Sequence, residues 1–447
     1  MLDTTQKEPA VTRRGFVLNY PMFRYWSKDA IAAGSQPKPL HIYVHMPYCI
    51  QRCAYCYFKT TTLKENRLAQ IDRYVDSLCK EIALAAKRFH LAERPVKSVY
   101  FGGGTPTLMS EQNLDKVFGT LREHLDLTNP KEITVEGEPV TLTERKARVL
   151  EKHKVSRISL GIQSFSEEIV FQTGRADTEE EAMKAIALAR DTGAVVNIDL
   201  ISGLAGERLE TWAYSVKRAA ESGAHSITVY KLELFANTPY YSSEKKHDIT
   251  LPSDEEELVF FKYALEELRK HDFLPVNSFT FTKGGAYNQV YTKAKWQGED
   301  HYAHGVSAYG SLGSWGYQNT NDINAYSEAV ERGELPFYRA YHSTSLDLMI
   351  RDVVLGIKLI DLDRRWFKER HGLDLVPACE TVLTRLEEEG FVTVDEEKVS
   401  LSDKGILYPD YVGRMLERAM KTFAGTGSTR RAEVHFAEPK PVVSIGA

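Results

Sequence analysis

The run HMPYCIQRCAYCYF, residues 45–58, decides how the rest of the chain is read. It places Cys49, Cys53 and Cys56 in a C-x3-C-x2-C spacing on one short loop, while Cys79 and Cys379 lie far away in sequence. Three thiolates on one loop can hold three irons of a [4Fe–4S] cluster. With no fourth cysteine nearby, the fourth iron is left to a ligand that is not protein. That suits chemistry at the cluster, because clusters that only carry electrons usually take four cysteines. A structural zinc site is the competing reading. Zinc prefers four ligands in pairs such as C-x2-C, a second pair is missing, and His45 would have to complete the set.

Immediately before this loop, LHIYVHM (40–46) reads as a buried strand, and after it residues 66–90 read as a long helix. Further strands are expected at KSVYF (97–101), EITVE (132–136), RISLG (157–161), VVNIDL (195–200) and SITVY (226–230). Amphipathic helical patterns lie between them at 111–124, 143–153, 178–191 and 208–222, with a short one at 166–172. Strands alternating with helices at this spacing predict a parallel βα repeat of six units, an α/β partial (β/α)6 barrel. Such barrels put their chemistry at the C-terminal ends of the strands. The cysteines, the glycines of FGGGTPT, Glu136, Gln163 and Asp199 all fall at or just after those ends.

Composition narrows the function classes. The chain has 447 residues, 43% hydrophobic and 27% charged, with a net charge of -5. The charge carries no basic nucleic-acid footprint, and no apolar run reaches the roughly 20 residues of a membrane span. The opening MLDTTQKEPAVTRRGF lacks the apolar core of a signal peptide, and five cysteines with three clustered argue against disulfides, so a cytoplasmic location is expected. Expected divisions are an N-terminal arm (1–38), the barrel (39–240), an extension over its mouth (241–330), a C-terminal α+β domain in the order of a winged helix (331–424) and a mobile tail (425–447). Residues 273–320, rich in Tyr, Gly, Asn and Ser, offer no motif.

Each further candidate has a plain alternative. Gly102, Gly103 and Gly104 are a tight turn, or they let backbone approach a ligand whose carboxylate meets exposed N–H groups. Glu136, Gln163 and Asp199 are solvated strand-end residues, or polar groups in register round one barrel mouth. Arg175, beyond a strand end, reads on pattern alone as a surface arginine. Tyr57 and Phe58 pack round the cysteine loop or face the substrate.

The C-x3-C-x2-C loop after the first strand resembles the radical S-adenosylmethionine superfamily. The set HIYVHMPYC, FGGGTPT, VEGEP, GIQSF, Gly174-Arg175, NIDLISGL, GVSA (305–308) and IRDVV (350–354) is similar to the oxygen-independent coproporphyrinogen III dehydrogenase family over residues 15–415. The resemblance implies a [4Fe–4S] cluster on the three cysteines and two S-adenosylmethionine (SAM) molecules side by side. It implies that Tyr43, Gly104, Thr105, Glu136, Gln163, Arg175 and Asp199 contact one or other of them, with Tyr309 near the second and Tyr55 packed near adenine. A reduced flavodoxin- or ferredoxin-type electron donor and a conjugated or tetrapyrrole substrate are implied as well. The family's decarboxylating enzyme has a Gly-Cys pair directly after the third cysteine, where this chain has Tyr57 and Phe58. On that departure the expected reaction is methyl or methylene transfer from a second SAM to an sp2 carbon. Decarboxylation of coproporphyrinogen III and a haem-chaperone role are the alternatives.

Overall fold

The computed structural model describes residues 17–28, 38–63 and 67–425. The six expected strands form at β1 (Leu40–Met46), β2 (Val96–Gly103), β3 (Glu132–Gly137), β4 (Arg157–Gln163), β5 (Val195–Ser202) and β6 (Ser226–Lys231), each parallel to the next. Helices α1 (Arg67–Arg88), α2 (Glu111–His124), α3 (Glu144–Lys152), α4 (Glu167–Gln172), α5 (Glu179–Asp191) and α6 (Leu209–Glu221) lie between the strands. Their starts are set by local chemistry. The Ser110 side chain accepts from Asn113 N, and Thr178 with Glu181 forms a reciprocal cap.

Strand alternation sorts the side chains. Ile42, Val44, Val99, Phe101, Ile133, Val135, Ile158, Leu160, Ile198, Ile227 and Val229 face the helices and are essentially fully buried. Burying each such side chain contributes about 1.5–3 kcal/mol, and this layer is the main core. The intervening residues face the concave side and are largely polar.

Beyond six strands, the structure differs from the expectation. After α7 (Pro239–Lys245) and α8 (Asp254–Lys270), the segment expected to cover the mouth builds strands of its own: β7 (Phe273–Pro275), β8 (Thr280–Lys283), β9 (His301–His304), β10 (Tyr309–Leu312), β11 (Trp315–Asn319) and then β12 (Phe337–His342). They extend the sheet to twelve strands in the order β12-β11-β10-β9-β1-β2-β3-β4-β5-β6-β8-β7. β9 pairs parallel to β1, with His41 opposite His301, and is a seventh parallel strand. These strands are three to six residues long, mostly too short for an alternating pattern to show. The end strands β12 and β7 do not pair with each other, so the barrel is open. Helix α9 (Val290–Trp296) crosses between β8 and β9 and stacks Tyr291 on Tyr100 and Tyr43 of the concave face.

The C-terminal part runs helix Ser345–Gly356, strand Asp361–Asp363, helices Arg364–His371 and Leu375–Glu388, then strands Val392–Val394 and Lys398–Leu401 in one three-stranded sheet. That is the winged-helix order. The long helix Pro409–Gly425 follows. This part meets the barrel where Ser278 N donates to Lys358 O (2.8 Å) and Arg370 Nη2 to Gly298 O (2.9 Å). Of the expected N-terminal arm, residues 17–28 run beside β12, Ser27 pairing with Ala340, and Val17 N donates to Asp410 (2.9 Å). The rest of the arm up to residue 37, and residues 426–447 of the expected tail, lie outside the described residues.

Candidate active site

The concave face gathers residues from every parallel strand. Tyr43 and Tyr100 stack with centroids 6.0 Å apart, and the Tyr100 hydroxyl donates to Glu136 Oε1. The other Glu136 oxygen accepts from Gly103 N (3.3 Å). Beside them, Asp199 accepts from Asn197 Nδ2 (2.8 Å) and Ser159 Oγ (3.3 Å). Desolvation pushes the Glu136 carboxyl up to about 7 against the pull of the Tyr100 hydroxyl. Burial also raises Asp199, with the Arg157 guanidinium opposing it. Arg157 is buried, and its Nε and Nη1 have no hydrogen-bond partner. Its position was readable: in RISLGIQ the residues Arg157, Ser159, Gly161 and Gln163 alternate with three aliphatics.

Gln163 ends β4 with a positive φ of 70°, at an irregularity in the β4–β5 register. A Cβ on Gly161 would stand 2.7 Å from Gln163 Nε2, so this glycine makes room for the amide. In the glycine loop, a Cβ on Gly104 would lie 2.5 Å from Tyr48 O. The loop therefore packs directly on the chain entering the cysteine run. Its amides are already engaged: Gly104 N donates to Met46 O (2.6 Å) and Thr105 N to Tyr48 O (2.8 Å). The reading of exposed N–H groups in the glycine run is thus corrected at Gly103 and Gly104. The glycines serve close approach, leaving Gly102, at whose Cβ position Glu136 Oε2 would stand 2.9 Å away, to shape the carboxylate's seat.

The cysteine loop is clamped from outside the barrel. Ala54 N donates to Thr173 O (2.9 Å), Tyr240 N to Ala54 O (3.0 Å) and Arg52 Nη2 to Asn237 O (2.8 Å). Cys49 and Cys53 are buried, Cys56 is half-buried, and all three thiols are free. Burial pushes Cys49 up to about 12 and Cys53 to about 11, and raises Cys56. The buried Thr105 hydroxyl lies beside Cys49 and Glu138 and favours their charged forms, against the rise that burial causes. Arg175 is no surface arginine. It is 3% exposed, its Nε donates to Asp177 (2.6 Å), and its Nη2 is buried without a partner near Cys53, Tyr55 and Glu138. Short-range pattern could not show this, because the burial comes from the cysteine loop folding across it. Tyr55 packs edge-on to Tyr240 (6.3 Å). Tyr57 stacks on Phe58 (4.4 Å) and against Phe235 (4.1 Å). Tyr309, on the far side, bonds the Lys295 ammonium through its hydroxyl and meets Phe23 at 5.1 Å.

Two family models match this chain: the radical SAM superfamily over residues 43–219 and the HemN C-terminal domain over 344–408. The solved structure of coproporphyrinogen III oxidase (HemN) from Escherichia coli superposes with a TM-score of 0.77 at 25% identity, covering 90% of this chain and 97% of that one. The chain carries a radical SAM domain followed by a HemN C-terminal domain. In sequence it is 25% identical over 368 residues to the heme chaperone HemW of Bacillus subtilis, covering 82% of this chain and 96% of that protein. It is 27% identical over 390 residues to the oxygen-independent coproporphyrinogen III oxidase of E. coli K12, covering 83% of each.

The radical SAM superfamily uses a [4Fe–4S] cluster and SAM, and the residues of this chain fit both. Each of the three thiols, two buried and one half-buried, would bond a different iron. Among the described residues no three His, Cys, Asp or Glu side chains converge on a single ion. His45 bonds the Tyr43 hydroxyl through Nδ1 (3.2 Å). The unpartnered Nη2 of Arg175 and the Thr105 hydroxyl lie beside the thiols, where a polar ligand would meet them. None of the described helices of this radical SAM protein is long and apolar enough to cross a membrane.

Proposed function

We propose that this radical SAM protein is an enzyme acting on a tetrapyrrole, with Cys49, Cys53 and Cys56 as the cluster ligands. Held by these three thiols, a reduced cluster would supply the one electron needed for reductive cleavage of SAM and so for radical hydrogen abstraction. The chain's own residues bind and orient. Glu136 and Asp199 offer carboxylates to ribose hydroxyls or the ammonium group, and Gln163 offers an amide. Arg175 and Thr105 offer a charge and a hydroxyl beside the thiols, Tyr43 and Tyr55 shield the site from water, and Tyr309 stands near a second SAM. The electron would come from a reduced flavodoxin- or ferredoxin-type donor.

The observation that carries the substrate class is an aromatic shelf beside the cysteine loop. Tyr57 lies between Phe58 and Phe235, and Tyr230 of the concave face stacks on Phe279 (6.3 Å). Phe58, Tyr230 and Leu234 remain exposed, apolar groups of the kind a conjugated ring system can pack on. The coproporphyrinogen III oxidase among the named relatives favours oxidative decarboxylation of coproporphyrinogen III over the one-carbon transfer expected from sequence. Haem binding without turnover is the second reading, favoured by the match along 96% of the chaperone's length.

The test is anaerobic incubation of the reconstituted protein with dithionite, SAM and coproporphyrinogen III, followed by mass spectrometry. Loss of carbon dioxide from the substrate supports decarboxylation. S-adenosylhomocysteine with a one-carbon gain on a supplied conjugated acceptor would overturn it. Stoichiometric haem binding with neither product would favour the chaperone.

A further inference from the structure

We propose that Lys295, Tyr309 and His301 form a carboxylate-binding subsite on the concave face, an inference that deepens the tetrapyrrole reading and rests on it for one of its two ligand sources. His301 lies opposite His41 in the parallel β9–β1 register, so both side chains point to the same side of the sheet, toward the lumen. His301 is 6% exposed, and neither ring nitrogen has a hydrogen-bond partner. Its ring is set edge-on between Tyr291 and Tyr309, 6.3 Å from each. Leaving a buried polar group unpaired costs stability, so a ligand that bonds it recovers that cost. Burial and the nearby Lys295 push the His301 imidazole down to about 3, so it is neutral and carries one N–H donor.

Lys295, delivered by α9, bonds the Tyr309 hydroxyl and sits 4.7 Å above the Tyr309 ring centre. A phenol satisfies a hydrogen bond without neutralising the ammonium. Among the described residues no carboxylate pairs with Lys295, in contrast to Arg351, which is held by Asp352 (2.8 Å). An uncompensated cation, a phenol hydroxyl and a neutral imidazole donor on one patch match the two oxygens of a carboxylate. Two carboxylates can reach a radical SAM site of this kind: an acidic side chain of a tetrapyrrole, or the methionine carboxylate of a second SAM.

The experiment measures binding of coproporphyrin III and of its tetramethyl ester by fluorescence quenching, and SAM stoichiometry by equilibrium dialysis. It uses the cluster-loaded protein and the variants Lys295→Met, His301→Leu and Tyr309→Phe, the last keeping the ring contacts. If a substrate carboxylate occupies the subsite, wild type prefers acid to ester by about tenfold or more, and Lys295→Met loses that preference. If SAM occupies it, Lys295→Met loses one SAM equivalent and any acid preference stays. Wild-type protein that binds neither porphyrin, with Lys295→Met still losing a SAM equivalent, sinks the tetrapyrrole reading and keeps the subsite. Variants that retain both the acid preference and full SAM binding, or a wild type that binds no porphyrin with variants that keep full SAM binding, overturn the subsite.

Discussion

On its convex side the central sheet presents Val44, Phe101, Val135, Leu160, Ile198 and Val229 to the helices, none more than 1% exposed. On its concave side the same strands present Tyr43, Tyr100, Glu136, Ser159, Asp199 and Thr228, linked by hydrogen bonds and ring stacking. Closed parallel barrels fill their interior with branched aliphatics. Here the interior is polar and carries two carboxylates raised by burial, a state that costs stability unless a ligand pairs with it. The contrast assigns stability to one face and binding to the other.

Changes on each face should break that division differently. The largest effect is expected for Cys53→Ala, beyond the concave rim. It should abolish cluster iron and the Fe–S absorbance near ~400 nm, while circular dichroism stays native. Unchanged iron content would remove the triad from the site. Next, Leu160→Ala on the convex face should lower unfolding stability by about 2–5 kcal/mol in denaturant titrations. Its neighbour Ser159→Ala, on the other face, should cost about 1 kcal/mol. Equal costs would erase the distinction between faces. Third, Asp199→Ala should weaken SAM binding about tenfold by calorimetry without a matching loss of stability, and an unaltered affinity would take Asp199 out of the site.

The smallest effect concerns pH. Glu136 has its carboxyl raised to about 7, so it is ionised only above that value. SAM affinity should rise as pH increases through about 7 and fall below it, and Glu136→Gln should flatten that profile. An identical slope in the variant would assign the titration elsewhere.

Much of the convex face was legible, because period-2 runs such as LHIYVHM and RISLGIQ mark strands whose one side is aliphatic. The concave residues Glu136, Gln163 and Asp199 were legible for the same reason, as polar residues closing those runs. Arg157 carries the same signal at the opening of its strand. What sequence could not show depends on long-range closure. Arg175 is buried only because the loop around Ala54 pairs with Thr173. Tyr291, Lys295 and Tyr309 reach the lumen through a short helix and four-residue strands without period. The engaged amides of Gly104 and Thr105 likewise follow from how closely the glycine loop meets Tyr48.

The most direct test of the account is 5′-deoxyadenosine release by anaerobically reconstituted, dithionite-reduced protein supplied with SAM and followed by mass spectrometry. The account predicts 5′-deoxyadenosine from wild type and none from Cys53→Ala. A wild-type protein with an intact cluster that releases none would contradict it.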